Sequence, residues 1–345
     1  MINEVIKLVT PKNIEISFQE ENYNDNMVVV RPTYLSICAA DQRYYQGKRK
    51  KEVLDKKLPL TLIHEGVGRV IYDAKGEFKK NEKVVMIPNT PTEQDDIIKE
   101  NYLRSSKFRS SSADGFMQSV VYMDRGRIIP IRDIDEEVGA FIELSSVAVN
   151  AIENFIKKSH KRKNVIGVWG CGNMGYITTL LLKSYFPDSK IVVVGTRMEK
   201  LNYFSFADEV KLITELEPDF MVDHAFECVG GIKSEDAIEQ IIDHINPEGC
   251  ISLMGVSEEP VDVNTRMVLE KGLTLLGNSR SGYEDFEKAV ELEQDKQTQA
   301  YLKNIISEQI EINCLNDINE AFDRDLNNDF KTCLLYTSPS PRDRG

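Results

Sequence analysis

The chain has 345 residues, enough for two domains each with its own core. Hydrophobic residues make up 41% and charged ones 29%, as in an ordinary globular protein, while 43 basic against 56 acidic side chains leave a net charge of -13 that disfavours a nucleic-acid surface. No apolar run approaches a membrane span, the start MINEVIKLVT lacks a signal-peptide centre, and six cysteines are scattered without paired spacing, so a cytoplasmic protein with no membrane association is expected.

Over residues 4–30 apolar and polar residues alternate, with turns at 11–13 and 22–26, which predicts antiparallel strands. The basic run KRKKEVLDKK at 48–57 reads as a solvated loop or helix face, or more sharply as a basic rim beside a substrate cleft. Residues 60–88 read as a strand through a bend at Gly66 and Gly68, a turn at Gly76 and a strand closed by Pro88. Short strands ahead of any long helix point to a small β-barrel-like unit. Residues 89–115 are polar and without periodicity, a long surface excursion. Strand character returns at 116–123 and 127–131, and 135–158 is apolar at helical spacing.

Residues 164–200 carry the clearest local signal. An apolar run at 165–169 reads as a buried strand, Gly170, Gly172 and Gly175 break it, 176–185 has the content of a packed helix, and a second strand follows at 191–194. In that setting the first glycine permits the tight turn, the second lets backbone approach a pyrophosphate, and the third lets helix and strand pack closely. A dinucleotide site is therefore expected rather than a purely structural turn. NAD-binding units place an acidic residue roughly 20 residues after the glycines. Here the strand ends Val194, Gly195, Thr196, Arg197, with Lys200 behind it, and a hydroxyl with two cations suits the 2′-phosphate of NADPH or NADP. The plainer alternative is that Arg197 and Lys200 decorate a solvated helix start.

A strand at 220–225, a helix at 234–244, a turn at 246–249 and strands at 251–254 and 273–276 continue the rhythm of a doubly wound parallel sheet. Residues 283–329 are expected to return to the first unit. The end, with Pro339, Pro341 and a Ser/Arg-rich stretch, reads as a disordered or non-native tail over 332–345.

Cys38, His64 and Glu143, with Glu65 beside His64, are donor types that suit a tetrahedral zinc keeping one open position. Each also has a plain reading: Cys38 as a small buried side chain, His64 as a satisfied core histidine, Glu143 as a helix cap. Spacing alone leaves both open.

Four motifs bear on the choice: C-A-A-D at 38–41, I-H-E-G-V-G at 63–68, E-L-S-S-V-A-V-N-A at 143–151 and G-C-G-N-M-G at 170–175. They stand in the order found in zinc-dependent medium-chain alcohol and polyol dehydrogenases, which this chain resembles over nearly its whole length. The resemblance implies an α/β architecture: a GroES-like β-rich catalytic domain, residues 1–145 and 281–331, interrupted by a Rossmann domain with a doubly wound parallel sheet, residues 146–280. It implies an active site in the cleft between them. It makes Cys38, His64 and Glu143 the catalytic zinc ligands and Glu65 a carboxylate that ligates in some states. Asp41 becomes the carboxylate that orients the ligating histidine and fixes its tautomer. The cofactor falls to Gly170, Gly172, Gly175, Thr196, Arg197 and Lys200.

Two departures stand out. The lobe corresponding to 88–115 has none of the cysteines that hold a second, structural zinc in many relatives, so one zinc is expected; and Ala40 stands where relatives carry a proton-relaying Ser or Thr.

Within the family, S-I-C-A-A-D-Q-R-Y-Y-Q-G-K-R at 36–49, the cysteine-free lobe and Gly195-Thr196-Arg197 are similar to a bacterial branch that reduces ribulose 5-phosphate to ribitol 5-phosphate with NADPH. That branch supplies CDP-ribitol for teichoic acids and capsules. The resemblance implies a zinc that polarises the C2 carbonyl while NADPH delivers hydride. Arg43, Lys48, Arg49 and Arg280 become candidates for the substrate phosphate. The expected partners are the sugar phosphate, a CDP-ribitol-forming cytidylyltransferase and a second copy of the chain in a homo-oligomer. Two other readings stand beside it: a zinc dehydrogenase of an unphosphorylated polyol such as sorbitol or xylitol, and a non-enzymatic nucleotide-binding relative.

Overall fold

The computed structural model describes residues 2–336, and the chain divides into two compact units. One comprises residues up to Glu143 together with those from Ser281, the other Leu144–Arg280. Among the described residues no helix is long and apolar enough to cross a membrane.

The alternation near the N-terminus forms a hairpin, Ile2–Thr10 antiparallel to Asn13–Glu20. The next strand, Met27–Ser36, is the centre of the first unit. It pairs with Glu65–Asp73, with Val121–Asp124 and with Lys331–Leu335 in a seven-stranded sheet that continues through Lys83–Met86 to Ile128–Pro130. Val28, Val30, Val70, Val84 and Met86 fill its core, all fully buried. The basic run becomes a short helix, Lys51–Lys57, with no buried residue.

The tail expected from residue 332 needs correcting. Lys331–Leu335 is a strand, parallel to Ile306–Glu311 and antiparallel to Met27–Ser36, and Thr332, Cys333 and Leu334 are fully buried. The β-branched and apolar segment is short, but two neighbouring strands complete its hydrogen bonds, so pairing decides the conformation. Residues 337–345 of that expected tail lie outside the described residues.

In the second unit six parallel strands run in the order Glu209–Leu212, Lys190–Gly195, Val165–Trp169, His224–Glu227, Cys250–Leu253, Thr274–Gly277. This is the doubly wound Rossmann order, with Val165–Trp169 and His224–Glu227 flanking the point where winding reverses. The helix Ser234–His244 has the predicted bounds, because its apolar stripe of Ala237, Ile238, Ile241 and Ile242 is strict. The edge strand Glu209–Leu212 is half-buried and carries no apolar run, so periodicity does not announce it. The strand read at 220–225 begins later, at His224, after Asp223 has accepted the N–H groups of Asn164 and Val165 at 2.8 and 3.2 Å.

Candidate active site

Cys38 is the N-cap of the helix Ala39–Tyr45, and its N–H donates to Asp41 Oδ2 at 3.2 Å, the third helical residue reaching back as in a capping box. Seven residues make a marginal helix, so it is held from outside. Gln42 Nε2 donates to Phe322 O at 2.7 Å and to Asp325 Oδ2 at 2.8 Å, and the Tyr45 ring stacks on Phe322 with centroids 4.5 Å apart. These contacts fix the backbone that carries the thiol.

His64 and Glu65 enter from a strained approach. Ile63, the residue before them, has φ +68°, an outlier for a β-branched side chain. Its N–H donates to Asp41 Oδ1 at 3.0 Å, and the hydroxyl of Ser110, itself at φ +61°, donates to the same oxygen. Asp41 is fully buried and also lies 3.5 Å from His64 Nδ1. Burial by itself would raise its pKa, but the His64 charge and the hydrogen bonds from His64, Ser110 and Ile63 outweigh burial and hold this carboxyl below the usual range. For His64 burial works downward, and Asp41 and Cys38 overcome it, keeping the imidazole well above its ordinary value.

Ligand atoms of Cys38, His64 and Glu65 all lie within 4.8 Å of one another. Burial, aided by the Glu65 charge, pushes the Cys38 thiol up. Glu65 is fully buried; Oε2 accepts from Lys331 Nζ, whereas Oε1 has no hydrogen-bond partner. Lys331, also buried, donates a second bond to Ile37 O at 3.1 Å, so one ammonium ties the strand leading to Cys38 to the carboxylate beside His64. These residues fit a zinc ion: a half-buried thiol, a buried imidazole and a buried carboxylate come together, and an orphaned carboxylate oxygen there is costly unless a cation satisfies it. Glu143 is buried but outside this group of three, and burial pushes its carboxyl up to about 7 against the pull of the His64 charge. The structure thus gathers Cys38, His64 and Glu65, with Glu143 near enough to feel the charges of His64, Glu65 and Lys331.

Three participants were not found from sequence. Ser110 and Phe108 come from the stretch read as a surface excursion, and the Phe108 ring lies 5.3 Å from the His64 ring. That stretch folds back along the residues before His64: Gly115 N donates to Thr61 O at 2.8 Å, Phe116 N to Ile63 O at 2.7 Å, and Thr61 N to Asp114 Oδ1 at 2.9 Å. A Cβ on Gly115 would sit 2.2 Å from Leu62 O, so the Asp114-Gly115 pair was the available signal for a close return. Lys331 had a weaker one, a cation opening an apolar strand.

The phosphate candidates differ in their settings. Arg43 is half-buried on the Cys38 helix, Lys48 is exposed, and Arg49 lies over the Tyr44 ring at 4.8 Å. Arg280 is exposed at the end of the second unit with φ +59°, its carbonyl accepting from Asn150 Nδ2 at 3.2 Å.

The glycine turn follows Val165–Trp169 directly. Gly170 has φ +121°, and a Cβ there would lie 2.9 Å from Cys228 O. A Cβ on Gly175 would lie 1.8 Å from Gly170 O, while one on Gly172, the N-cap of the helix Asn173–Tyr185, would meet only open space. Tight turn, bare approach and close packing are the three features an anion-binding turn requires. Gly195 has a packing reason of its own, since its Cβ would meet Cys171 Sγ at 2.8 Å; Thr196 and Arg197 follow it, exposed at the strand's carboxyl end.

Residues 24–133 match the alcohol dehydrogenase GroES-like domain and residues 198–295 the zinc-binding dehydrogenase domain. The chain belongs to the zinc-binding alcohol dehydrogenase family. Within it, the chain is 50% identical to ribulose-5-phosphate reductase of Bacillus spizizenii over 94% of this chain and 96% of that protein. It is 52% identical to ribulose-5-phosphate reductase 1 of Staphylococcus aureus over 97% and 99%. A crystal structure of S. aureus TarJ in complex with NADPH superposes with a TM-score of 0.86 at 47% identity, covering 97% of this chain and 99% of that one.

Proposed function

We propose that this chain is a zinc-dependent reductase that converts ribulose 5-phosphate to ribitol 5-phosphate with NADPH. The supporting observation is the convergence of Cys38, His64 and Glu65 within 4.8 Å of one another, in a chain half identical, over nearly its full length, to named ribulose-5-phosphate reductases. When bound, zinc supplies Lewis acidity toward a carbonyl and NADPH a hydride.

The chain's own residues hold and orient these parts. Cys38, His64 and a carboxylate, Glu65 or Glu143, are the metal ligands; Asp41 fixes the imidazole, and Lys331 restrains Glu65 through the oxygen opposite its unpartnered one. The glycine turn takes the pyrophosphate, and Thr196, Arg197 and Lys200 the 2′-phosphate. Arg43, Lys48, Arg49 and Arg280 supply the cations from which a sugar phosphate selects its contacts. The product suits a CDP-ribitol-forming cytidylyltransferase, in the cytoplasm, and the active form is a homo-oligomer.

The test is NADPH oxidation with ribulose 5-phosphate and with ribulose, each with and without a zinc chelator. The expected result is chelator-sensitive turnover of the phosphorylated ketose alone. Equal rates on both ketoses would return the chain to the polyol dehydrogenases, and undiminished turnover after the metal is stripped would remove the zinc.

A further inference from the structure

Glu227, the last residue of the strand His224–Glu227, is fully buried, and no Lys, Arg or His side chain pairs with it among the described residues. Its carboxylate is answered by backbone N–H groups and by a side-chain hydrogen bond from Ser234. Oε1 accepts the N–H of Val229 at 2.7 Å, in the loop that follows its own strand, and Oε2 accepts the N–H of Gly255 at 2.9 Å, in the loop that follows the next strand, Cys250–Leu253. The same two loops are joined by Met254 N to Glu227 O at 2.9 Å and by Gly231 N to Val256 O at 3.0 Å. A side chain at Gly255 would force the loops apart: a Cβ there would lie 1.9 Å from Val229 O and 2.5 Å from Glu227 Oε1. A buried carboxylate without a cation is expensive, and a merely packed position would take an apolar residue at no such cost. This one is spent on holding two loops back to back.

Their place matters. Both loops leave the carboxyl ends of parallel strands, and Cys228, next to Glu227, donates its N–H to Trp169 O at 2.8 Å, at the root of the glycine turn. A doubly wound sheet consists of two mononucleotide halves, and the glycine turn opens the half made by Val165–Trp169, Lys190–Gly195 and Glu209–Leu212. The loops clamped by Glu227 belong to the other half.

We propose that Glu227 is a positioning residue for the nicotinamide half of the dinucleotide site: it locks the 228–231 and 254–256 loops into one surface while leaving the adenosine half to the glycine turn and to Thr196, Arg197 and Lys200. The inference rests on the reading of this chain as an NADPH enzyme. Glu227→Gln keeps the shape but turns an NH2 toward one of the two N–H donors, so that loop must move.

The test compares the whole cofactor with a fragment. NADPH binding to the purified full chain is followed by nucleotide fluorescence, and adenosine 2′,5′-bisphosphate, which carries only the adenosine half, by calorimetry. Glu227→Gln is expected to weaken NADPH about ten-fold, the usual consequence of losing a buried charge-assisted hydrogen bond, and to leave the fragment within about two-fold. Gly255→Ala, which wedges the loops apart with the carboxylate intact, gives the same split, and both variants retain zinc at the wild-type level. Parallel weakening of NADPH and the fragment overturns the proposal, because it reports a general defect; unchanged NADPH affinity in both variants overturns it as well. A wild-type chain that binds the fragment but not NADPH overturns the cofactor reading itself.

Discussion

The glycine turn and the metal centre are built on opposite plans. The turn is a run of backbone conformations, with all three glycines inside residues 170–175 and its tight contacts made within the turn and to Cys228, just past the neighbouring strand. The metal centre is a set of side chains drawn from residues 38–41, 63–65, 108–110 and 331, and its order comes from one carboxylate, Asp41, that takes donors from three of those stretches. A site made of backbone tolerates change at a distance, because each turn conformation is encoded where it occurs. A site assembled from remote side chains depends on every element that delivers one.

The largest effect expected from that contrast comes from removing a ligand. Cys38→Ala or His64→Ala should abolish zinc retention and lower turnover by roughly 10³-fold or more, read by elemental analysis alongside NADPH consumption; a zinc-free variant with normal turnover would falsify the metal site. Next is Lys331→Met, far along the chain from either ligand. It strands the buried Glu65 carboxylate and should cost about 3–5 kcal/mol of unfolding free energy, seen as a lower denaturant midpoint, with added zinc recovering part of it. If the midpoint does not move, the metal centre does not depend on the closing strand and the contrast weakens.

Ser110→Ala tests the same dependence more gently. Loss of its hydrogen bond to Asp41 should weaken zinc binding about 10- to 100-fold in a chelator competition, as other outer partners of ligating histidines do. For the turn, Arg197→Ala should raise the NADPH Kd about ten-fold while leaving that for NADH unchanged; equal losses for both nucleotides would move the 2′-phosphate contact elsewhere.

The smallest effect belongs to a pair that neither site uses. Hydrogen bonds from Arg125 hold the Asp73 carboxyl far below its usual range, against the opposing effect of burial. A folded pKa below the unfolded value of about 3.9 means the contribution is fully present above that pH and fades as pH falls toward the folded value. Arg125→Met should therefore cost about 1 kcal/mol at neutral pH and much less near pH 2, measured by urea melts at both; an equal loss at the two pH values would assign the effect to packing of the Arg125 stem.

Much of the candidate site was legible as residue types and little of it as geometry. Gly170, Gly172 and Gly175 could be given separate roles from spacing because their requirements are local, and the structure supplies each with its steric reason. The residues around Asp41 could be named only through the resemblance of C-A-A-D and I-H-E-G to a known family. Nothing in residues 89–115 marks Ser110 as a partner of Asp41, since a serine in a polar stretch carries no periodicity and its role exists only once the return through Gly115 is made. Lys331 was missed for a related reason: the strand that carries it is stabilised by neighbours from residues 27–36 and 306–311, which a local reading cannot see.

Sequence by itself determined the two kinds of unit, the parallel sheet with its dinucleotide turn, and the donor types available for a metal, because periodicity, glycine spacing and residue chemistry act over a few residues at a time. Tertiary structure alone decided that Ser110 and Lys331 serve the centre where Cys38, His64 and Glu65 meet, and that Glu227 clamps two loops. Those facts depend on which distant segments meet, and in a folded chain that is settled by burial and by the hydrogen bonds each buried group must find.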